Sequence, residues 1–142
     1  MGLTFQSPEL DAWASGFPLL LAHVAVTLAI FAGGAALYAL LTPHREIQLI
    51  RDGNPAAALS FGGVLLALAL PLAFSLAAST STMEILLWGV ATVVVQLFLF
   101  WLTDLVFYGL PQRIREGDVA AAALMAAARL SVGAILAAAV TG

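Results

Sequence analysis

The chain has 142 residues, of which 63% are hydrophobic and 9% are charged, and its net charge is −3 at neutral pH. A soluble domain carries about a quarter charged residues, so this composition excludes an ordinary soluble protein and indicates an integral membrane protein. The sequence has no cysteine, which excludes disulfide bonds and thiolate metal sites.

Four apolar runs predict membrane-spanning segments near residues 17–41, 55–79, 84–109 and 119–140. Each is long enough to cross a hydrocarbon core about 30 Å thick. They are expected to be helices, because a helix satisfies its own backbone hydrogen bonds in lipid. Residues 1–16 are expected to form an extracytoplasmic tail. They lack the basic region and cleavage site of a signal peptide, so we expect the first span to be retained.

The arginines predict the orientation of the spans. Arg45 and Arg51 fall between the first and second spans, and Arg113 and Arg115 fall between the third and fourth. Because positively charged loops stay in the cytoplasm, both connections are predicted to be cytoplasmic and both termini extracytoplasmic. The sequence therefore predicts an all-α, multi-pass protein of the bacterial inner membrane.

A short motif occurs twice, 64 residues apart, and each copy precedes an apolar run. The copies read Arg51-Asp52-Gly53-Asn54-Pro55-Ala56-Ala57-Ala58 and Arg115-Glu116-Gly117-Asp118-Val119-Ala120-Ala121-Ala122. A pair of spans returns the chain to its starting side, so the motif predicts two repeats of the same orientation, at 17–79 and 80–142, within one membrane domain. The alternative is a chance resemblance between alanine-rich stretches.

The residues of the motif predict a turn followed by a helix start. Gly53 and Gly117 supply the flexible turn, and Asn54 and Asp118 are favourable N-caps. Ahead of the first copy, residues 46–51, which begin with Glu46, are predicted to form a short interfacial helix.

Small or polar residues line one face of each of the first three spans, which is typical of helices that pack closely in a membrane. The predicted packing positions are Gly34, Ser60, Gly63, Ala67, Pro71 and Gly89. The alternative interpretation is a solvated pathway lined by the same residues.

Polar side chains inside the spans are the candidate functional residues. Asp104 and Arg129 lean toward each other along oppositely directed helices, and an intramembrane ion pair is a candidate functional site. Structural pairing, a proton or ion role, and a lipid or partner contact all remain open. Gln96 is interpreted as a hydrogen-bonding contact between helices or as part of a permeation pathway. His23 is a weak candidate for a metal ligand.

Enzyme signatures are absent from the sequence. No phosphate-binding loop, nucleophile elbow or HExxH motif appears, and no cofactor or metal site is predicted. The arginines are too few for nucleic acid. Trp13 and Trp88 are expected at the outer membrane interface, whereas Trp101 lies too deep in the predicted third span for that role.

The connection after the first span carries the pattern Thr42-Pro43-His44-x-Glu46-x-x-Leu49-Ile50-x-x-Gly53-Asn54-x-Ala56-Ala57. This pattern resembles the signature of the YjfL-like family of small four-span bacterial inner-membrane proteins, and further matches are Gly63, Pro71-Leu72, Trp88-Gly89 and Gln96-Leu97. The resemblance implies a tandem two-span repeat, no assigned enzymatic activity and, by association with neighbouring proteins only, a role in envelope maintenance.

The chain departs from the family pattern at three positions in its second half. Leu136 stands where the family has an intramembrane asparagine, Asp104 replaces a basic residue, and Arg129 replaces a small one. Any function that depends on the asparagine is therefore in doubt, and the polar centre of the bundle is expected to have moved toward the cytoplasm.

These observations favour a non-enzymatic membrane scaffold or accessory subunit that self-associates or binds a partner through small-residue helix faces. The alternative is an oligomeric ion or proton channel or transporter. A subunit of a larger respiratory or photosynthetic complex is a third hypothesis. The expected surroundings are the lipid bilayer and either further copies of the chain or a larger membrane complex.

Overall fold

A computed structural model describes residues 7–42 and 45–142, which contain six helices. These are α1 (Pro8–Leu41), α2 (Glu46–Arg51), α3 (Pro55–Ala78), α4 (Thr82–Val106), α5 (Leu110–Arg115) and α6 (Val119–Thr141). The helices α1, α3, α4 and α6 are long and apolar enough to cross a membrane, which confirms the predicted all-α class and four spans. The first six residues of the predicted tail, and Pro43 and His44 of the family pattern, lie outside the described residues.

Helix α1 begins well before the predicted first span. The Ser7 hydroxyl accepts a hydrogen bond from the Leu10 amide, Pro8 occupies the first turn, and Glu9 and Asp11 lie next to the helix N-terminus. These are helix-start signals, so most of the predicted tail is helical. The 34 residues of α1 span about 51 Å at 1.5 Å per residue, which exceeds the hydrocarbon thickness.

The third span ends earlier than predicted, and a second short helix follows it. Helix α4 stops at Val106, and α5 begins after Gly109, which has φ +92°. Its counterpart α2 begins after Arg45, which has φ +47°. Both short helices have six residues and start 64 residues apart. Helix α2 confirms the short helix predicted at residues 46–51, and α5 is a second one that the sequence analysis did not predict.

The two copies of the sequence motif have matching backbones. Gly53 and Gly117 have φ values of +86° and +89°, a conformation that favours glycine. Asn54 and Asp118 cap α3 and α6, and each side chain accepts a hydrogen bond of 3.1 Å from the amide three residues later. The order long helix, short helix, turn, long helix thus occurs twice, and the division into two repeats stays a prediction.

Helices α3 and α6 run parallel and form the most extensive contact in the bundle. A Cβ atom added at Gly63 would lie 2.6 Å from the Ala126 Cβ, and one added at Gly133 would lie 2.7 Å from the Ala67 carbonyl oxygen. Pro71 leaves that carbonyl without its usual helical donor. The two glycines therefore permit a contact that larger residues would prevent.

The predicted packing positions lie inside the bundle. Gly34 faces Val93 of α4, and Gly89 faces Ile30 of α1. All six positions are buried, namely Gly34, Ser60, Gly63, Ala67, Pro71 and Gly89. These faces join helices of the same chain, so contacts with another chain require a different surface.

Candidate functional site

Arg129 is the centre of a buried polar cluster. It projects from α6 and is only 1% exposed. Its Nη2 atom donates to Asp104 Oδ1 of α4 at 2.7 Å, and its Nη1 atom donates to Ser60 Oγ of α3 at 3.1 Å. The structure thus brings together the two ionised residues that the sequence analysis paired, and joins α3, α4 and α6 through one guanidinium group.

Glu46 supplies a second carboxylate from α2. Its Oε1 atom accepts hydrogen bonds from the Tyr38 hydroxyl at 3.1 Å and from Ser60 Oγ at 3.4 Å, and it lies 4.0 Å from Arg129 Nη1. We call Tyr38, Glu46, Ser60, Asp104 and Arg129 the Arg129 cluster. Its members come from five of the six helices in the described residues, so it ties α2 to all four spans.

Two aromatic rings complete the surroundings of the guanidinium group. The Arg129 Cζ atom lies 5.3 Å from the centroid of the Tyr38 ring and 5.8 Å from that of Phe100. These distances fall within the range of a cation–π contact. The two rings meet edge to face at 5.7 Å, so Arg129 is enclosed by both carboxylates and π-electron density.

The cluster holds two carboxyl groups and one guanidinium group, of which Arg129 and Glu46 are buried and Asp104 is partly exposed. Burial raises the pKa of Glu46 above its ordinary value of 4.5, and the Arg129 charge opposes that change. Among the described residues, Glu46 Oε2 and Arg129 Nε have no hydrogen-bond partner. The arrangement can therefore lock the helices together and can also hold one proton on Glu46.

Sequence reasoning assigned Glu46 to the turn motif and missed its contact with Arg129. No pattern in the sequence predicts how α2 is placed against the distant α6. The charge of Arg129 could have indicated this contact, because a buried arginine needs further hydrogen-bond partners besides one carboxylate.

Gln96 and His23 do not join the Arg129 cluster. Gln96 is fully buried eight residues before Asp104, about 12 Å away along the helix, and neither atom of its amide has a partner within 7–42 and 45–142. His23 lies half-buried in α1, and its Nε2 atom is likewise unpartnered in that part of the chain. Of the four predicted intramembrane polar residues, Asp104 and Arg129 therefore form a pair, while Gln96 and His23 each lie outside the Arg129 cluster.

The turn residues connect the two short helices with the spans. The Asn54 side chain donates to the carbonyl oxygens of Ile114 and Arg115 at the end of α5, each at 3.1 Å. Asp118 instead binds Arg113 of its own segment, and its Oδ2 atom accepts from Arg113 Nε at 2.8 Å. Arg51 is exposed at the end of α2.

Two adjoining cavities meet at Asp104, whose side chain is 25% exposed. The first has a volume of about 370 Å³ and lies between α1 and α4, with Tyr38, Leu41 and Trp101 among its lining residues. The second has a volume of about 580 Å³ and is bordered by α5 residues, including Arg115. Within the described residues, no group of three or more His, Asp or Glu side chains could hold a metal ion.

Comparison with known proteins gives a family without an assigned function. Residues 12–140 match the family described as "Domain of Unknown Function (DUF350)". The chain is 35% identical over 105 residues to the UPF0719 inner membrane protein YjfL of Escherichia coli strain K12, which covers 74% of this chain and 80% of that protein. The protein of the same name from Escherichia coli O157:H7 matches equally well. No solved structure shows significant similarity.

The match covers all four spans and the Arg129 cluster, and the relatives carry the name of an inner membrane protein. The four apolar helices agree with that location. The chain therefore belongs to the YjfL-like DUF350 family of multi-pass inner-membrane proteins.

Proposed function

We propose that the protein is a non-enzymatic membrane subunit that associates with a second copy of itself through the outer face of α6. The observation that carries this proposal is the composition of that face. A stripe of small exposed residues runs along it, bordered on one side by the exposed Leu124 and Ile135, and consists of Ala123, Ala127, Ser131, Ala134 and Ala138. Small residues let helix backbones approach closely in a bilayer.

The outer face of α4 provides the contrast. Its exposed residues are bulky, including Val94 at 62%, Phe98 at 58% and Leu105 at 58% exposure. Bulky apolar side chains suit contact with acyl chains, whereas the small face of α6 offers a shallow groove for another helix. The buried Arg129 cluster supports the same function, because it holds the bundle rigid beneath that face. The envelope role implied by family resemblance fits such a subunit.

The absence of cysteine from the sequence permits a direct test by single-cysteine cross-linking in native membranes. We expect Ala127→Cys and Ala134→Cys to form a disulfide-linked dimer on mild oxidation. The matched control is Val94→Cys, which lies at mid-span on the exposed face of α4 and is expected to stay monomeric. Equal cross-linking at all three sites, or at none, would refute the proposed interface.

A product of another mass from Ala127→Cys would require a partner cysteine and would replace self-association with a heteromeric complex. A second substitution, Ala127→Leu, tests the packing directly. It fills the small face without polar change, and we expect it to convert the dimer to a monomer in light scattering of the detergent-solubilised protein.

A proton or ion pathway in an oligomer is the second candidate function. Gln96 favours it, because a fully buried amide without a partner in the described residues is an unusual feature of a packed interior. Phe100 opposes it, since this fully buried ring lies one turn from both Gln96 and Asp104. Proton flux into proteoliposomes that Gln96→Leu abolishes would support this function, and impermeable vesicles would exclude it.

A further inference from the structure

A groove between α1 and α4 opens toward the lipid at the end of the bundle that carries α2 and α5. This groove is the cavity of about 370 Å³, with Leu41 on one side and Leu97 and Trp101 on the other. The Phe98 and Trp101 rings are tilted relative to each other with centroids 5.8 Å apart, and the two residues are 58% and 59% exposed. The groove is therefore accessible from the bilayer and has mostly apolar walls.

The polarity of the surface changes in order along the groove. The apolar walls lead to Asp104, and the second cavity continues from Asp104 to Gln112 and Arg115 on α5. An acyl-chain surface, a carboxylate and a guanidinium group thus follow one another from the membrane toward the basic connection. An amphipathic molecule with both charges in its head would match this order.

The position of Asp104 along α4 corresponds to the lipid headgroup region. It lies two residues before the helix ends at Val106, about 3 Å along the axis. Trp101 lies five residues before that end, about 7.5 Å. Because α4 ends earlier than the predicted third span, Trp101 lies closer to the end of its helix than the sequence analysis placed it, where an interfacial tryptophan is favoured.

Asp104 retains capacity for a second partner. Arg129 binds its Oδ1 atom, while a quarter of the side chain stays exposed at the junction of the two cavities. The Trp101 ring one turn away offers a π face to a cation. The partly exposed carboxylate beside this ring can accept a charge-assisted hydrogen bond from an ammonium group, which a glycerol headgroup does not have.

We propose that this groove binds one phospholipid with a zwitterionic, amine-bearing headgroup. The ammonium group contacts Asp104 and Trp101, the phosphate contacts Arg115, and an acyl chain lies against Leu41 and Leu97. This site is independent of the proposed dimer face on α6.

Native mass spectrometry of the full-length protein tests the proposal with phosphatidylethanolamine and phosphatidylglycerol supplied in equal amounts. We expect one phosphatidylethanolamine to be retained, with a preference on the order of tenfold from the charge-assisted hydrogen bond. Asp104→Asn should reduce that preference to near one. Glu84→Gln is the matched control, because Glu84 lies at the opposite end of α4, and it should retain the preference.

Leu41→Trp provides an independent test because it leaves the Arg129 pair intact. Leu41 is 70% exposed, so the larger ring can fill the groove without disturbing the core, and we expect it to displace the lipid. Equal retention of both lipids by the unmodified protein would overturn the proposal. Retention of phosphatidylethanolamine by Leu41→Trp would also overturn it, since the lipid would then bind elsewhere.

The location of the bound lipid can be read from fluorescence. With Trp13 and Trp88 replaced by phenylalanine, Trp101 is the remaining tryptophan in the sequence. We expect phosphatidylethanolamine with brominated acyl chains to quench it more strongly than brominated phosphatidylglycerol at equal density in vesicles. Equal quenching by the two lipids would contradict a specific site at this ring.

Discussion

The connecting segments 45–57 and 109–121 have the same backbone course but different polar contacts. Both begin with a residue of positive φ, continue as a six-residue helix and end in a glycine turn and a capped helix. At the first position of the short helix, Glu46 points into the Arg129 cluster. The equivalent Leu110 packs against an apolar cluster that includes Ile114 and Met125.

The caps differ in the same way. Asn54 reaches from the first segment to the carbonyl oxygens that end α5, whereas Asp118 pairs with Arg113 inside the second segment. The Asn54 side chain therefore links the two segments, whereas the Asp118 side chain binds within its own segment. Ala56 and Ile114 also share one apolar cluster, so apolar packing joins the segments as well. The comparison teaches that the shared backbone positions the spans, while the polar contacts depend on a few residues at equivalent positions.

Removing Arg129 should give the largest effect, because it removes the buried contact between Glu46 of the first segment and α6 of the second half. Arg129→Met leaves the Glu46 and Asp104 carboxyl groups buried without their cation. We expect a loss of about 3–5 kcal/mol in the free energy of unfolding, measured by denaturant titration in detergent micelles.

The control for this substitution neutralises the whole set. Glu46→Gln and Asp104→Asn combined with Arg129→Met remove every charge of the Arg129 cluster, and we expect most of the lost stability to return. A triple variant as unstable as Arg129→Met would show that shape, rather than unpaired charge, causes the loss.

The contact between α3 and α6 tests whether the two halves depend on close backbone approach. Gly133→Ala would place a methyl group 2.7 Å from the Ala67 carbonyl oxygen, and overpacking of this kind costs about 1–3 kcal/mol. Thermal unfolding of the purified protein measures it. At Gly62 an added Cβ meets nothing within 4 Å, so Gly62→Ala should be neutral or stabilise the helix by up to about 1 kcal/mol. Equal destabilisation by both substitutions would contradict this account.

The sequence predicts the four spans because lipid imposes one simple rule of length and apolarity. It also predicts the caps Asn54 and Asp118, whose side chains act within one helical turn. Helix α5 was missed although the 64-residue offset that relates the two motifs also relates Leu110 to Glu46. The two residues differ in polarity, and a six-residue helix has little periodicity of its own.

The candidate site was predictable only in part. Asp104 and Arg129 were found because two opposite charges inside spans require each other. Their additional partners Glu46 and Ser60 depend on helix rotation and on the course of α2, which are decided by packing between distant residues. Ser7 and the residues after it carry the signals of a helix start, but this start is polar and lies before the apolar run that predicts the first span.

Exchanging the two caps separates their roles, and its effect should be smaller. Asn54→Asp keeps the cap of α3 but replaces the amide that donates to Ile114 and Arg115 with a carboxylate facing their carbonyl oxygens. We expect a loss of about 1–2 kcal/mol in the free energy of unfolding. Asp118→Asn keeps the cap of α6 and weakens only an exposed ion pair, so it should cost less than Asn54→Asp. Denaturant titration at one pH compares them, and the opposite ranking would refute the link across the halves.

The smallest effect is a pH dependence of opposite sign in the two segments. Burial raises the pKa of Glu46 above 4.5, so its contribution to stability is fully present below pH 4.5 and declines as pH rises through the raised value. For Asp118, hydrogen bonds from the Ala121 amide and Arg113 lower the pKa below 3.8. Its contribution is present above pH 3.8 and is lost as pH falls through the lowered value.

Unfolding free energies measured from pH 3 to pH 8 in micelles separate the two groups. Glu46→Gln should reduce the decline in the free energy of unfolding above pH 4.5 and leave its loss below pH 3.8 unchanged. Asp118→Asn should reduce only the loss below pH 3.8. A decline above pH 4.5 that persists in Glu46→Gln would assign it to another group and would remove Glu46 as the residue that holds a proton in the Arg129 cluster. Opposite responses would show that burial of Glu46 in the first segment and the partly exposed cap of Asp118 in the second give two segments of the same backbone course different dependences on pH.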